Sequence, residues 1–337
     1  MNDKIVTFGE VLLRWSKNGC RRLSQGSQFV GNYGGSEANV AVSLATLGDN
    51  VEYVTRVPDN LVGRACCNEL RYYGLNLDHV LMGGDRLGTY YFEEAAAMRI
   101  SCVVYDRNGS SFNSIQSGMI DWHSVFRGAR IFHCSGITCA VSQSAADATF
   151  EAVRIAKEMG LTICCDINYR KNLWKYGADA HDVLGQLMQY SDFIFGDQGE
   201  YDITTNIPRV QFKPVETDAR IDEDAYLDFF GKVQALYPNC KKFILAIRNQ
   251  IGSTHHTLTG LLYTKGRLVK TRIYDIPSVV DPMGVGDAFV AAYVHACLKW
   301  PDDNQRCLDF SLAASALKNS IPGDFNLNTE EEIEAMM

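Results

Sequence analysis

Short apolar runs alternate with longer amphipathic segments along most of the chain. The apolar runs predict buried strands, and apolar residues three and four positions apart predict helices. The predicted strands are residues 5–8, 51–57, 131–134, 162–166, 193–196 and 243–248. The predicted helices are residues 36–47, where Ser36 is a candidate cap, and 142–159, 222–237, 288–298 and 309–318.

Strands that alternate with helices of this length predict an α/β fold, with a mainly parallel sheet covered by helices on both faces. Ligands of such sheets bind beyond the carboxyl ends of the strands. Two stretches interrupt the alternation: residues 12–30 are polar and irregular, and residues 87–112 contain β-rich runs. We predict one domain over residues 1–337, with these stretches forming a small antiparallel lid, and a surface excursion at residues 204–220.

Composition narrows the possible functions. The net charge of -8 argues against a general binder of nucleic acid or anionic membranes. No apolar stretch approaches the roughly 20 residues of a membrane span, and the N-terminus lacks a basic segment followed by an apolar one, so a cytoplasmic protein is expected. Eleven cysteines are scattered through apolar runs without metal-site spacing, which indicates reduced, structural thiols. The adjacent pair His255-His256 is expected in a surface loop.

The first chemical motif is the segment 281–289, in which a predicted strand leads through Gly284 and Gly286 into a predicted helix. Glycines and free N–H groups at a helix start attract anions such as phosphate. A carboxylate beside them, Asp287, suits a base that takes a proton from an attacking hydroxyl. The alternative is a plain turn in which Asp287 caps the helix. The segment is neither a Walker A loop nor a dinucleotide fingerprint.

A second glycine segment lies near the N-terminus, where Gly34 and Gly35 precede a predicted helix that carries Asn39 in its first turn. Alone, this pattern is typical of any helix start. Together, the two segments resemble the ribokinase/PfkB family of carbohydrate kinases, which has an early Gly-Gly-x-x-x-Asn and a late Asp-Thr-x-Gly-Ala-Gly-Asp. Met283 stands where the family usually has Thr, and Val285 where it usually has Ala.

The resemblance implies a ribokinase-like, Rossmann-like sheet with a small β lid over the sugar. It also implies ATP as phosphate donor, Mg²⁺ as cofactor, Asp287 as general base, and an anion hole formed by the N–H groups of Gly284, Val285 and Gly286. The family's lid often joins subunits, so a homodimer or larger homo-oligomer is expected.

Two arginines help to predict which class of sugar is the substrate. Arg107 follows the predicted lid, and Arg170 follows the predicted strand 162–166, so both can face the binding edge. A neutral sugar needs no cation, whereas an arginine can hold the carboxylate of a sugar acid with two hydrogen bonds. The alternative for each arginine is a solvated surface charge.

The segments 33–41, 135–138, 166–174 and 321–326 resemble the 2-keto-3-deoxygluconate kinase branch of the family. The resemblance implies phosphorylation of that sugar acid at its terminal hydroxyl. The implied sugar contacts are Gly34, Gly35, Asn39, Tyr90, Tyr105, Arg107, Ile137 and Arg170. The implied nucleotide and phosphate contacts are Gly284, Val285, Gly286, Asn168, Arg248 and Leu312, with Asp197 and Glu200 near Mg²⁺ through water. Another kinase of the family, such as a fructokinase or other sugar-acid kinase, and a non-catalytic sugar-acid sensor are the alternatives.

Overall fold

The computed structural model describes residues 3–210 and 221–337, so residues 211–220 of the predicted excursion lie outside the described part. The strands in chain order are β1 (Lys4–Phe8), β2 (Leu12–Ser16), β3 (Val30–Gly34), β4 (Asn50–Val54), β5 (Arg56–Val57), β6 (Leu81–Met82), β7 (Gly88–Glu93), β8 (Cys102–Asp106), β9 (Ala129–Ser135), β10 (Thr162–Asp166), β11 (Phe193–Gly196), β12 (Lys242–Gln250), β13 (His256–Thr264), β14 (Arg267–Lys270) and β15 (Tyr274–Ile276).

The helices are α1 (Ser36–Thr46), α2 (Leu61–Tyr72), α3 (Trp122–Val125), α4 (Gly136–Cys139), α5 (Gln143–Glu158), α6 (Ala180–Tyr190), α7 (Gln198–Thr205), α8 (Glu223–Leu236), α9 (Val285–Lys299), α10 (Asn304–Lys318) and α11 (Glu330–Met336). A 3₁₀ turn spans Phe112–Ser114. The predicted strands 162–166 and 193–196 match β10 and β11, and Ser142 caps α5. The predicted strand 51–57 is divided into β4 and β5.

The described residues form a nine-stranded sheet in the order β14-β13-β12-β11-β10-β9-β1-β4, with β15 beside β13. The six strands from β12 to β4 run parallel, and β13, β14 and β15 are antiparallel additions at one side. This arrangement confirms the predicted α/β fold. It also aligns the carboxyl ends of six strands along one edge.

Helices cover both faces of this sheet. In β1, Ile5 packs into a core with α1, α2, α9 and α10, whereas the next residue, Val6, packs into a core with α3 and α5. The alternation follows from the strand geometry, in which successive side chains point to opposite faces. Helix α9 is apolar around most of its circumference and packs between α1 and α10, as expected of a fully enclosed helix.

A separate four-stranded sheet has the order β3-β2-β7-β8 and is called the lid sheet below. Both stretches that were predicted to form a lid contribute strands to this sheet. The prediction of an antiparallel lid was wrong at its centre, because β2 and β7 pair in parallel, with Leu12 opposite Gly88. Only the outer pairs, β2 with β3 and β7 with β8, are antiparallel.

All eleven cysteines are free thiols, and all except Cys20 and Cys102 are buried, in line with their expected structural role. None of the helices in the described ranges combines the length and the apolar character needed to cross a lipid bilayer.

Candidate active site

A cavity of about 800 Å³ lies between the lid sheet and the carboxyl ends of the parallel strands. It brings together residues that are far apart in the chain. The predicted site residues that line it are Gly35, Asn39, Tyr90, Tyr105, Arg107, Ile137, Asn168, Arg170, Asp197, Glu200, Arg248, Gly284, Val285, Gly286 and Asp287.

Gly34 was also predicted to contact the sugar, but it does not line the cavity. A side chain at this position would overlap the carboxylate of Asp324. The glycine is therefore explained by close packing against Asp324. Its neighbour Gly35 does line the cavity, and a side chain there would overlap the backbone carbonyl of Glu10.

Leu312 was predicted to contact the nucleotide, but it does not line the cavity. Leu312 is fully buried in the core formed by α1, α9 and α10 and does not reach the cavity. The residue of α10 that lines the cavity is Ser315, about one helical turn further on, whose hydroxyl donates to the carbonyl of Val285 at 3.0 Å. The resemblance to the family had implied an adenine contact at a position that is a core residue in this fold.

Asp287 lies in the first turn of α9 and is held by two donors from the first turn of α1. Ser36 Oγ donates to Oδ1 at 2.9 Å, and Asn39 Nδ2 donates to Oδ2 at 2.7 Å. Burial raises the pKa of Asp287 above its ordinary value, and these two hydrogen bonds oppose the rise. The carboxylate is thus fixed in position and made more basic than a free aspartate.

The helix-cap alternatives for Asp287 and Ser36 were both wrong. Helix α9 has Gly284 at its N-cap, and α1 has Gly35, each without a side-chain cap hydrogen bond. The Ser36 hydroxyl, expected to cap its own helix, contacts Asp287 instead. The starts of α1 and α9 therefore face each other across one site.

Glycine is needed at positions 284 and 286 of the loop for different reasons. Gly284 has a φ of 75°, a left-handed conformation that favours glycine, and a side chain there would overlap the backbone carbonyl of Asp324. A side chain at Gly286 would meet no protein atom within 4 Å. Packing explains the first glycine, whereas the second leaves open space at the helix start, where N–H groups can receive an anion.

Arg107 directly follows β8 of the lid sheet and lines the cavity. It is 5% exposed, and its Nε donates to Glu10 Oε2 at 2.7 Å. Ser110 Oγ donates to the other oxygen of Glu10. The Nη1 of Arg107 is buried and has no hydrogen-bond partner within the described residues. The predicted alternative of a solvated surface charge was therefore wrong for Arg107.

Glu37 is a cavity residue that the sequence reasoning did not single out. It is 1% exposed, and its Oε1 accepts hydrogen bonds from Ser135 Oγ at 2.5 Å and Thr138 Oγ1 at 2.6 Å. Burial raises the pKa of Glu37 to about 7. These bonds attach α1 to the segment that carries Ile137, on the wall of the same cavity.

Because the pKa of Glu37 is raised on folding, its stabilising contribution is complete below its ordinary pKa of 4.5 and is lost as the pH rises through about 7. We therefore expect the free energy of unfolding to fall between these two pH values. Glu37→Gln, which resembles the protonated carboxyl, is expected to flatten this part of the profile. Urea titrations at a series of pH values measure the effect. An unchanged slope in the variant would contradict the assignment.

Several carboxyl groups line the part of the cavity beside β10 and α7, which is called the phosphate end below. Asp166 follows β10, and burial together with the charges of Glu200 and Asp287 raises its pKa well above the ordinary value. Burial and the nearby charge of Asp197 raise the pKa of Glu200 to about 7. Arg170 Nη1 lies 3.5 Å from Glu200 Oε1 with 44% of its side chain exposed. Several acidic side chains of raised pKa therefore lie together at this end of the cavity, beside one arginine.

Asn168 adds an oxygen to this end. Its φ of 43° is left-handed, a conformation that asparagine tolerates better than most residues. Its Nδ2 donates to Ser36 Oγ at 2.9 Å and Asp166 Oδ2 at 3.0 Å. Its Oδ1 is buried and has no partner in the part of the chain that the structure describes.

Asp197 and Glu200 also have a local structural role. Asp197 Oδ1 accepts from the Glu200 N–H at 2.9 Å, and Glu200 Oε2 accepts from the Asp197 N–H at 2.8 Å, which forms a capping box on α7. Within the described residues, no group of three or more Asp, Glu, His or Cys side chains is arranged to hold a metal ion. The capping box already uses one oxygen of each carboxylate.

The remaining end of the cavity is lined by Arg248 of β12, by apolar Ile247 and Val280, and by His256 of β13. His256 is 4% exposed, so its expected place in a surface loop was wrong. Burial lowers the pKa of His256 to about 4, which leaves the ring neutral at physiological pH. The apolar walls and a neutral ring suit a flat heterocycle, and Arg248 suits its phosphates.

A buried charge cluster supports the glycine loop from the side of the lid sheet. Arg14 of β2 donates to Asp281 Oδ2 and to Asp324 Oδ2, both at 2.8 Å. Tyr90 of β7 donates its hydroxyl to Asp324. The sequence reasoning did not find Arg14, because it lies in a polar stretch without a recognisable motif.

Comparison with known proteins agrees with this geometry. The pfkB family carbohydrate kinase pattern matches residues 2–229. A solved structure of 2-dehydro-3-deoxygluconokinase from Thermotoga maritima is 35% identical, covers 99% of both chains and superposes with a TM-score of 0.91. A PfkB family carbohydrate kinase from Listeria grayi is 34% identical, with 99% coverage of both chains and a TM-score of 0.89.

Among curated sequences, a 2-dehydro-3-deoxygalactonokinase from Haloferax volcanii is 27% identical over 100% of this chain and 97% of its own length. The match of the family pattern covers well over half of the chain, and two solved structures exceed 30% identity over nearly their whole length. This chain belongs to the PfkB family of carbohydrate kinases.

Proposed function

We propose that this carbohydrate kinase transfers the γ-phosphoryl group of ATP to the terminal hydroxyl of 2-keto-3-deoxy-D-gluconate. The observation that carries the proposal is that a single cavity contains both Asp287 with its glycine loop and the buried Arg107 with an unpartnered nitrogen. Relatives named 2-dehydro-3-deoxygluconokinase and 2-dehydro-3-deoxygalactonokinase support a sugar acid as the acceptor.

In the proposed reaction, Asp287 accepts the proton of the terminal hydroxyl as that oxygen attacks the γ-phosphorus. The donors Ser36 and Asn39 hold the carboxylate in one orientation, which limits the cost of positioning it for proton transfer. The raised pKa of Asp287 brings its basicity closer to what proton transfer at neutral pH requires.

The start of α9 supplies the charge stabilisation. The N–H groups of Gly284, Val285 and Gly286 are proposed to hold the oxygens of the transferred phosphoryl group, because a helix N-terminus has free donors and a favourable dipole. Phosphoryl transfer depends mainly on positioning and on stabilising charge, which these donors provide. Arg170 and Arg248 are proposed to add positive charge on the phosphate side.

The acceptor is proposed to lie between the lid sheet and α1. Arg107 would bind the carboxylate of the sugar acid through its unpartnered Nη1 while its Nε remains on Glu10. Gly35, Asn39, Tyr90, Tyr105 and Ile137 are proposed to complete the sugar contacts, since they line this end of the cavity.

The residues at the phosphate end fit Mg²⁺. Two carboxyl groups of raised pKa, Asp166 and Glu200, and the unpartnered Oδ1 of Asn168 offer the oxygen atoms that magnesium prefers, directly or through its waters. When bound with ATP, Mg²⁺ would neutralise part of the phosphate charge. Asp197 and Glu200 would then contribute through water, because their capping box already uses an oxygen of each.

A screen of purified protein against sugars and sugar acids, with ADP release coupled to an optical signal, tests the proposal. We expect fast turnover of 2-keto-3-deoxygluconate or its C4 epimer and slow turnover of fructose and ribose. Turnover of fructose without turnover of sugar acids would reject the proposed acceptor in favour of a fructokinase. Ligand binding by calorimetry without ADP release from any compound would favour a non-catalytic sensor.

The two glycines of the loop provide a matched pair of variants. Gly284→Ala is expected to lower both stability and activity, because alanine is strained by about 1–3 kcal/mol at positive φ and its methyl group overlaps Asp324. Gly286→Ala is expected to leave the melting temperature unchanged or slightly raised, because its methyl group meets no neighbouring side chain or loop and alanine favours a helix more than glycine does. It should instead reduce kcat/KM for ATP about tenfold by blocking the approach of phosphate, a loss of about 1.4 kcal/mol in transition-state stabilisation.

Thermal unfolding and steady-state kinetics of both variants separate packing from catalysis. Equal losses of stability in the two variants, or wild-type kinetics in Gly286→Ala, would contradict the assignment of Gly286 to the phosphate site.

A further inference from the structure

Arg14 is an unusual residue to find in the lid sheet. It lies in the middle of β2, is 1% exposed, and does not line the cavity. Its guanidinium spans two carboxylates that belong to different loops, Asp281 and Asp324, at 2.8 Å each, and it stacks 4.4 Å from the centre of the Phe92 ring. Arg14, a cation of the lid sheet, therefore binds directly to the two loops that pack beside the start of α9.

These two carboxylates in turn hold the backbone of the glycine loop and its neighbour. Asp281 Oδ1 accepts from the Met283 N–H at 3.0 Å, and Asp281 Oδ2 accepts from the Gly323 N–H at 2.9 Å. The backbone carbonyl of Asp324 is packed so closely against Gly284 that no side chain fits there. The position of the anion hole thus depends on groups that Arg14 binds directly.

The charges of the cluster nearly balance. Lys318 is fully buried beside it and donates to the carbonyls of Ile321 at 3.0 Å and Gly323 at 2.9 Å. Together with Arg14 it opposes the charges of Asp281 and Asp324. Buried ion pairs often contribute little net stability, and removing one partner leaves a costly uncompensated charge. Such a cluster is therefore better explained by a need for fixed geometry than by a need for stability.

The geometry points to Arg14 as a positioning residue that couples the lid sheet to the anion hole. When the lid sheet covers the sugar, Arg14 fixes Asp281 and Asp324. These two residues then hold the 284–286 loop in the position and orientation that fit the transferred phosphoryl group. When the lid sheet does not cover the sugar, the loop is not held in this position, and transfer of the phosphoryl group to water is disfavoured. This inference rests on the proposed function, because it assigns the cluster to phosphoryl transfer.

Arg14→Gln removes the cation, and Arg14→Lys keeps a charge that cannot span both carboxylates. Arg86→Gln is the matched control, since Arg86 forms an ion pair of the lid region with Asp106 at 2.8 Å but is partly exposed and lies outside the cavity. For each protein, kcat, both KM values, the ratio of ADP released to sugar phosphorylated, and the melting temperature are measured.

We expect Arg14→Lys to remain folded, to lose about tenfold in kcat with little change in KM for the sugar acid, and to release more than one ADP per sugar phosphorylated. Arg14→Gln should show larger effects of the same kind, and Arg86→Gln should match the wild type. A purely structural role would lower the melting temperature but leave the ADP ratio at one. If Arg14→Lys folds and has the wild-type kcat and the wild-type ratio of ADP released to sugar phosphorylated, the inference is overturned. This holds even if Arg14→Gln does not fold.

Amide hydrogen exchange separates this inference from the proposed function, since it needs no turnover. The backbone of residues 281–287 should exchange faster in Arg14→Lys than in the wild type or in Arg86→Gln. Unchanged exchange would overturn the coupling even in an active kinase. An inactive wild type with faster exchange in Arg14→Lys would reject the kinase function and retain the coupling.

Discussion

Replacing Asp287 with Asn is expected to lower kcat for sugar phosphorylation about 10³-fold, because a positioned general base typically contributes between 10² and 10⁴. KM for both substrates should change little, since Asn has the same shape and Ser36 and Asn39 can still surround it. Steady-state and single-turnover measurements with the purified variant provide the test.

Asp303→Asn is the matched control. Asp303 caps α10, the helix beside α9, and its carboxylate accepts from the Arg306 N–H at 2.9 Å outside the cavity. Asparagine is also a good cap, so stability and kcat should stay at the wild-type level. Retention of more than a tenth of the wild-type kcat in Asp287→Asn would show that another group takes the proton.

Replacing Arg107 with Met is expected to reduce kcat/KM for the sugar acid about 100-fold, or about 2.7 kcal/mol, because a buried, charge-assisted hydrogen bond to the carboxylate is lost. Slow turnover of fructose should not fall, because a neutral sugar has no carboxylate to bind. The measurement is a comparison of kcat/KM for the two acceptors in wild type and variant.

The loss of Arg107 also leaves Glu10 buried without its partner at 2.7 Å, so Arg107→Met alone is expected to be less stable. The double variant Arg107→Met/Glu10→Gln removes that charge and should recover stability without recovering turnover of the sugar acid. Equal losses for sugar acid and fructose in the double variant would argue that Arg107 supports the fold and does not select the substrate.

Much of the fold was predictable because its signals are local. The apolar runs that became β10 and β11 and the helix capped by Ser142 follow from patterns within a few residues. The segment around Asp287 was recognisable for the same reason, since a strand, a glycine loop and a helix are adjacent in the chain. The cavity lining was found largely through resemblance, which carries long-range information that a pattern of residues lacks.

The errors arose where distant segments decide a residue's role. Nothing near Ser36 in the chain shows that its hydroxyl contacts a carboxylate of another helix. Leu312 and Ser315 lie about one turn apart on a similar side of α10, and the packing of α1 and α9 decides that only Ser315 reaches the cavity. Arg14 became interpretable only when the fold placed Asp281 and Asp324 beside it.

The parallel pairing of β2 with β7 has a consequence for how this chain folds. Two parallel strands cannot be joined by a tight turn, and here α1, β4 and α2 lie between them in the chain. The β2–β7 pair that joins the two halves of the lid sheet therefore cannot form locally, and closing so long a loop costs entropy that the β/α core must first offset. During synthesis, the edge of β2 that pairs with β7 stays exposed until β7 has left the ribosome. Trp15 and Phe29 pack edge to face on the lid sheet, and until β7 is synthesised they lack the neighbouring strand.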